Sequence, residues 1–181
     1  MADKKRVYWD ACIWFALIKQ EPGRYDQCAY VLELAKAGEL EIWTSSLTLA
    51  EVFRKKCGDG VAGGLAEAQD QDFEAFLSQD FVVEVQVDHQ VGIAARRLLR
   101  AHVPLKKPQD AIHLASAVLN NLDEFHTFDQ VNLLCLNGLI STKNGGALSI
   151  CEPPTRPLPE PDLFTALAMD KDHSEASPPI H

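Results

Sequence analysis

Residues 7–18, VYWDACIWFALI, set one carboxylate, Asp10, among eleven uncharged and mostly apolar neighbours. A run this apolar belongs in a protein interior. An ionised carboxylate there is costly enough that it pairs, takes up a proton or meets a metal ion. The run holds no Lys, Arg or His, so whatever compensates Asp10 comes from a distant part of the chain or from solution. Any fold open to this sequence has to bring that partner in.

The pattern around the run narrows the fold. RVYW (6–9), LEIW (40–43), FVVEVQV (81–87), EFHTF (124–128) and ALSI (147–150) read as short strands. Between them the spacing predicts helices over 11–20, 25–37, 46–56, 65–78, 90–101, 109–119 and 129–138. Gly38 and Gly138 supply stops, and Pro108 suits a first helical turn. Strands alternating with helices across short connections predict an α/β fold, a parallel β-sheet flanked by α-helices. There is no internal repeat.

The 181 residues suit one folded domain, expected over 1–151, followed by a Pro-rich acidic tail over 152–181. Within the tail, DLFTALAMD has the length of a short helical or docking segment. The five cysteines (12, 28, 57, 135 and 151) are odd in number and form no CxxC pair. That argues against a disulfide framework and a structural zinc site, and fits a reducing cytoplasm. No apolar stretch reaches membrane-spanning length, and MADKKR leads into a strand rather than a signal peptide. The expectation is a soluble cytoplasmic protein. GxxxxGK[ST], GxGxxG and GxSxG are all absent, which excludes the commonest nucleotide-binding and serine-hydrolase signatures.

The net charge of −9 is unfavourable for binding nucleic acid. It is unevenly spread: the stretch between Asp88 and Asp110 has no acid but holds Arg96, Arg97, Arg100, Lys106 and Lys107. A local basic face is therefore available.

Four acids fall in similar places. Asp10 and Asp129 end strands, Asp110 opens a helix behind Pro108, and Glu51 lies in the helix after LEIW. Strand carboxyl ends are where open α/β sheets bind ligands. Each acid also has an ordinary explanation. Asp10 and Asp129 can cap helices, Thr48 and Glu51 match a capping box, Glu51 can pair with Lys55, and Asp110 suits the helix dipole. Asp110 is set apart by DAIHLASAVL, apolar nearly all round and hence buried. Converging buried carboxylates repel, and a hard divalent cation with oxygen ligands relieves the repulsion.

VYWDACIWFAL, TSSLTLAEVFRK, KPQDAIHLASA and HTFDQVNLL, in this order, resemble the segments of the PIN domain family, metal-dependent ribonucleases that include VapC toxins of toxin–antitoxin pairs. The resemblance implies that Asp10, Glu51, Asp110 and Asp129 form a catalytic quartet holding Mg²⁺ or Mn²⁺. It implies RNA hydrolysis to a 5′-phosphate and a 3′-hydroxyl, a homodimer and an antitoxin partner. The RNA backbone would meet Arg54, Lys55, Arg96, Arg100, Lys106 and Lys107. The chain departs from the family at Cys12, where many members carry Ser, Thr or Asn, better hydrogen-bond partners than a thiol. His113, one turn beyond Asp110, is expected to be packed or hydrogen-bonded, and Thr127 and Asn132 are placed to orient Asp129. Trp9, Trp14 and Phe15 are expected in the core. The competing reading is a non-catalytic PIN-like module that binds a protein partner, which the acidic surface favours.

Overall fold

A computed structural model describes residues 4–55 and 63–158. Strand β1 (Lys5–Trp9) leads through Asp10 into α1 (Ala11–Ile18), followed by α2 (Tyr25–Lys36), β2 (Leu40–Ser45) and α3 (Ser46–Glu51). A two-residue strand β3 (Arg54–Lys55) pairs antiparallel with β4 (Gly63–Gly64). Then come α4 (Glu67–Leu77), β5 (Val82–Val85), α5 (His89–Ala101), α6 (Pro108–Leu119), β6 (Glu124–His126), a 3₁₀ turn at Leu134–Leu136 and β7 (Ser149–Cys151).

The main sheet has five strands in the order β5-β2-β1-β6-β7, all parallel. From β1 the chain winds outward through β2 to β5, then crosses back to place β6 on the other side of β1. The winding therefore reverses between β1 and β6, and a crevice at such a reversal is the usual ligand site of an open α/β sheet.

Period-two alternation divides β1 between two cores. Val7 and Trp9 face a core with Ile13, Trp14, Val31 and Phe73 from α1, α2 and α4. Tyr8 faces a second core with Val91, Leu114, Phe125 and Ile150 under α5 and α6. The sheet is thus covered on both faces, as the alternation predicts. Trp9 and Trp14 are fully buried and meet edge to face at 4.8 Å. Phe15 is half-buried against the same core.

Several elements differ from expectation. The helix expected over 46–56 ends at Glu51, where Val52 leaves helical geometry with ψ at 37° and the chain turns into β3. Thr48 lies inside α3 and bonds Thr44 at 2.9 Å, so the expected capping box does not form. Residues 129–138 are not an α-helix. The carboxylate of Asp129 takes the N–H groups of Val131 and Asn132, while Leu133 and Leu134 both return to its carbonyl. The turn closes on itself instead of propagating. Gly38 at φ +79° does end α2: its N–H and that of Glu39 return to Ala35 and Leu34, which needs the left-handed backbone that glycine adopts freely.

Beyond β7, residues 152–158 form neither helix nor strand. Most of them are exposed, but the stretch is anchored at two points. Pro153 is buried, and Arg156 pairs with Glu33 and lies 5.2 Å above the Tyr30 ring, so this stretch runs back over α2. DLFTALAMD lies outside the described residues. No described helix is long and apolar enough to cross a membrane.

The fully buried Thr44 hydroxyl, on β2, joins the carboxyl end of β1 to α1 and α3: it donates to the Trp9 carbonyl at 3.0 Å, takes the Trp14 indole N–H at 3.2 Å and meets Thr48. Thr44→Val keeps the shape and strands the indole N–H, so we expect a loss of about 1–3 kcal/mol in urea unfolding with an unchanged m-value.

Candidate active site

A cleft of about 670 Å³ opens at the reversal point, and Asp10, Glu51, Asp110 and Asp129 all line it. They arrive on four separate segments: after β1, at the end of α3, in the first turn of α6, and after β6. Lys107, Gln109, His113, Cys12, Phe15 and Phe53 contribute the rest of the wall that bears on the chemistry.

Asp10 is 5% exposed and caps α1 through Oδ1, which takes the N–H groups of Cys12 at 3.0 Å and Ile13 at 3.3 Å. Its Oδ2 accepts the Thr127 hydroxyl at 2.6 Å. The ordinary capping role is therefore real, and one lone pair of Oδ2 stays open. Burial pushes the Asp10 carboxyl up from its usual range, against the bonds from Cys12 and Thr127.

The Thr127 hydroxyl, besides donating to Asp10, accepts the Asp129 N–H at 3.1 Å. Cys12 Sγ stands 3.6 Å from the same hydroxyl and takes the Phe128 N–H. Burial drives the Cys12 thiol up, which keeps it protonated and makes it a packed donor rather than a nucleophile. Asp10 therefore receives its side-chain hydroxyl bond from Thr127 and not from position 12.

Asp129 is treated differently. Burial works to raise its carboxyl, but Asn132 through side chain and backbone, with Lys107 nearby, outweighs it and holds the group below its ordinary value. Asn132 Nδ2 donates to Oδ2 at 2.8 Å. Asp129 is thus the stable anion of the group.

Asp110 is the uncompensated one. Among the described residues, its Oδ2 is the buried side-chain oxygen with no hydrogen-bond partner. Lys107 Nζ approaches only to 3.8 Å from it, and to 3.7 Å from Asp129 Oδ2. Burial, reinforced by repulsion from Asp129 and Asp10 and opposed by Lys107, pushes the Asp110 carboxyl up to about 6. An orphaned anionic oxygen among oxygen donors is the chemistry a hard divalent ion satisfies. The residues fit such an ion.

Glu51 Oε2 takes a 2.5 Å bond from His113 Nε2. His113 is 3% exposed, and Tyr8 Oη lies 2.8 Å from its Nδ1. His113 is hydrogen-bonded, as expected. Nothing in RVYW marks Tyr8 as part of this cleft; its only signal is the alternation that turns it away from Trp9.

Of the residues read as contacting RNA, Lys107 lines the cleft. Arg96, Arg100 and Lys106 are exposed and lie outside its lining. The side chains of Arg54 and Lys55 lie outside the described residues.

A second group of metal-type side chains, Glu124, His126 and Cys151, has its ligand atoms within 4.8 Å of one another across β6 and β7. Its protons are already allotted. The Trp9 indole donates to His126 Nδ1 at 3.2 Å, which puts the ring proton on Nε2, 3.0 Å from Glu124 Oε2. Lys5 completes Glu124 at 2.7 Å. The His126 bond, against burial and with help from Lys5, pulls the Glu124 carboxyl down to about 2. With no free nitrogen lone pair, this is a self-satisfied network.

Comparison with known proteins agrees with the fold. Solved structures with the same architecture include VapC20 of Mycobacterium tuberculosis, a sarcin–ricin-loop-cleaving toxin, 17% identical with a TM-score of 0.52 over 68% of this chain and 89% of that one. A toxin–antitoxin complex from Klebsiella pneumoniae is 21% identical with a TM-score of 0.54, covering 83% of this chain and 99% of that one. VapBC2 of Rickettsia felis, bound to a promoter DNA fragment, is 19% identical with a TM-score of 0.51, covering 80% and 98%. No curated protein gave a significant sequence match. The model of the PIN domain matches residues 7–132, well over half of the chain, and the protein belongs to the PIN domain family.

Proposed function

We propose that this protein is a metal-dependent endoribonuclease of the VapC toxin type, hydrolysing RNA phosphodiester bonds. The observation that carries the reading is the unpartnered Asp110 Oδ2 beside a cleft that Asp10, Glu51 and Asp129 also line. An all-oxygen donor set suits Mg²⁺ or Mn²⁺. Asp10 and Asp110 would hold the main ion, Glu51 would join directly or through water, and Asp129 would complete the shell or help hold a second ion. Such an ion activates water and offsets charge on the phosphate and the leaving oxygen. Lys107, whose side chain is 59% exposed, is free to leave its long contacts and meet a substrate phosphate. Arg54, Lys55, Arg96, Arg100 and Lys106 would extend the grip along the backbone through salt-sensitive contacts. The expected products are a 5′-phosphate and a 3′-hydroxyl.

Residues 1–151 would form the catalytic unit, and 152–181 an appended tail. The toxin reading brings with it an antitoxin partner, as in the Klebsiella pneumoniae complex, together with a homodimer and a cytoplasmic site of action. A non-catalytic, partner-binding module is the rival.

The direct test is cleavage of structured RNA with Mg²⁺ or Mn²⁺. Wild type should cut, EDTA should stop it, and Asp10→Asn and Asp110→Asn should each fall below detection. Cleavage that survives EDTA and both substitutions, or none from wild type, would support the rival.

A second test needs no substrate. In the folded metal-free protein Asp110 titrates near 6, against an ordinary value of 3.8. The folded state then binds the extra proton between these values, so this group's contribution to stability falls as pH rises from about 4 to 6 and stays low at neutral pH. Asp110→Asn removes the charge. Metal-free Asp110→Asn should therefore melt about 2–4 °C above wild type at pH 7.5, with the gap closing at pH 4. Excess Mn²⁺ should raise the wild-type Tm and leave that of the variant unchanged.

Lys107→Met should bind Mn²⁺ more tightly, having lost a competing cation. It should also bind RNA more weakly, with the salt slope reduced by about 1.

A further inference from the structure

Behind Glu51 runs a buried chain of hydrogen bonds that reaches through the molecule to β1. Tyr8 is fully buried, and its ring stacks on Phe125 at 5.1 Å with the planes 9° apart. It meets His113 edge-on at 5.8 Å. These contacts fix the direction of the phenol oxygen, 2.8 Å from His113 Nδ1, with Ser45 Oγ 3.4 Å from the same nitrogen. An ionised Glu51 only accepts, so its contact with His113 calls for a proton on Nε2, and in the neutral ring Nδ1 is then the acceptor of the Tyr8 O–H. The His113 proton is then on Nε2, aimed at Glu51 Oε2.

The consequence for Glu51 is specific. It is the last residue of α3, with Val52 already out of helical geometry, so the backbone alone holds it loosely. The imidazole takes one carboxylate oxygen of this cleft-lining residue, and no described hydrogen bond takes the other. We propose that Tyr8 and His113 are positioning residues: the chain Tyr8–His113–Glu51 fixes one imidazole tautomer, and through it one setting of the Glu51 carboxylate toward a divalent ion. The role in ion binding rests on the nuclease reading above; the tautomer does not. Hydrogen-bonded partners of this kind tune metal affinity, and losing one costs about 10–100-fold.

His126 makes the comparison within the same molecule. There too an N–H or O–H donor on Nδ1 sends the ring proton to Nε2 and on to a glutamate, but Glu124 is also closed by Lys5. Glu51 has no such ammonium among the described ion pairs, so its second oxygen is left to act.

Two measurements test the proposal. First, ¹⁵N shifts of the histidine rings in the metal-free protein should show His113 as the Nε2–H tautomer, and Tyr8→Phe should convert it to a mixture. An Nδ1–H ring in wild type, or no change in Tyr8→Phe, would overturn the chain whatever the metal does. Second, Mn²⁺ titration calorimetry compares wild type with three variants, each checked for native circular dichroism. His113→Leu should raise the Kd by about 10–100-fold, His113→Gln, which retains an amide donor, should recover most of that, and Tyr8→Phe should fall between. If wild type binds Mn²⁺ and His113→Leu binds it equally well, the positioning role is wrong and the nuclease reading stands. If wild type binds no Mn²⁺, the nuclease reading and the ion-directed role fall together, while the ring shifts still decide the chain itself.

Discussion

One hydroxyl holds the cleft together across the point where the sheet reverses its winding. Thr127, just past β6, donates to Asp10, just past β1, and accepts from the backbone of Asp129. Because β1 and β6 are hydrogen-bonded neighbours only through this reversal, nothing in the local sequence brings the two acids together. The parallel register does, and the threonine then fixes their relation. Around that tie the acids divide by how many fixed donors each receives. Asp129, served by two backbone N–H groups and an amide, is held down, whereas Asp10 and Asp110 are pushed up by burial. Carboxylates of one chemical type thus differ through their surroundings alone.

The layered architecture was legible because burial on both faces of a parallel sheet leaves a plain mark: short apolar strands, regularly separated by amphipathic helices. The positions of Asp10 and Asp110 were legible for a related reason, since a lone carboxylate in an apolar run is conspicuous. Local stops were not. The apolar pattern predicts helices over 46–56 and 129–138, but the chain turns because side chains and short strand pairing take the backbone's bonds. Tyr8 and Thr127 were harder still. A tyrosine in a strand and a threonine after one are ordinary residues, and their roles exist only once register and packing have brought His113, Asp10 and Asp129 within reach. Thr127 stands out only as a neighbour of Asp129, and Tyr8 carries no signal beyond its parity along β1.

The two carboxylate–histidine groups of this molecule show why composition does not identify a metal site. Glu124, His126 and Cys151 contain softer and more familiar transition-metal ligands than the cleft does. Yet every strong donor and acceptor of the Glu124–His126 pair is matched by Trp9 or Lys5, so an ion would have to break bonds to enter. In the cleft the unsatisfied atom comes first, at Asp110, and the nearest cation stands beyond hydrogen-bond reach. The useful criterion is the balance of donors and acceptors, not the list of residue types.

That balance also bears on the net charge of −9, the feature that most opposes a role with RNA. Among the described residues of the cleft wall, Lys107 is the one Lys or Arg facing four acids, so the metal-free cleft repels phosphate. Under the nuclease reading, each divalent ion reverses part of that field at the place where the scissile phosphate must sit. Metal and RNA then favour one another's binding by the same factor in either order, because linkage is reciprocal. Under that same reading the acidic character of the chain would become a condition on when RNA is held, and Lys107, 3.8 Å from Asp110 and 3.7 Å from Asp129, would be the group through which the two equilibria touch.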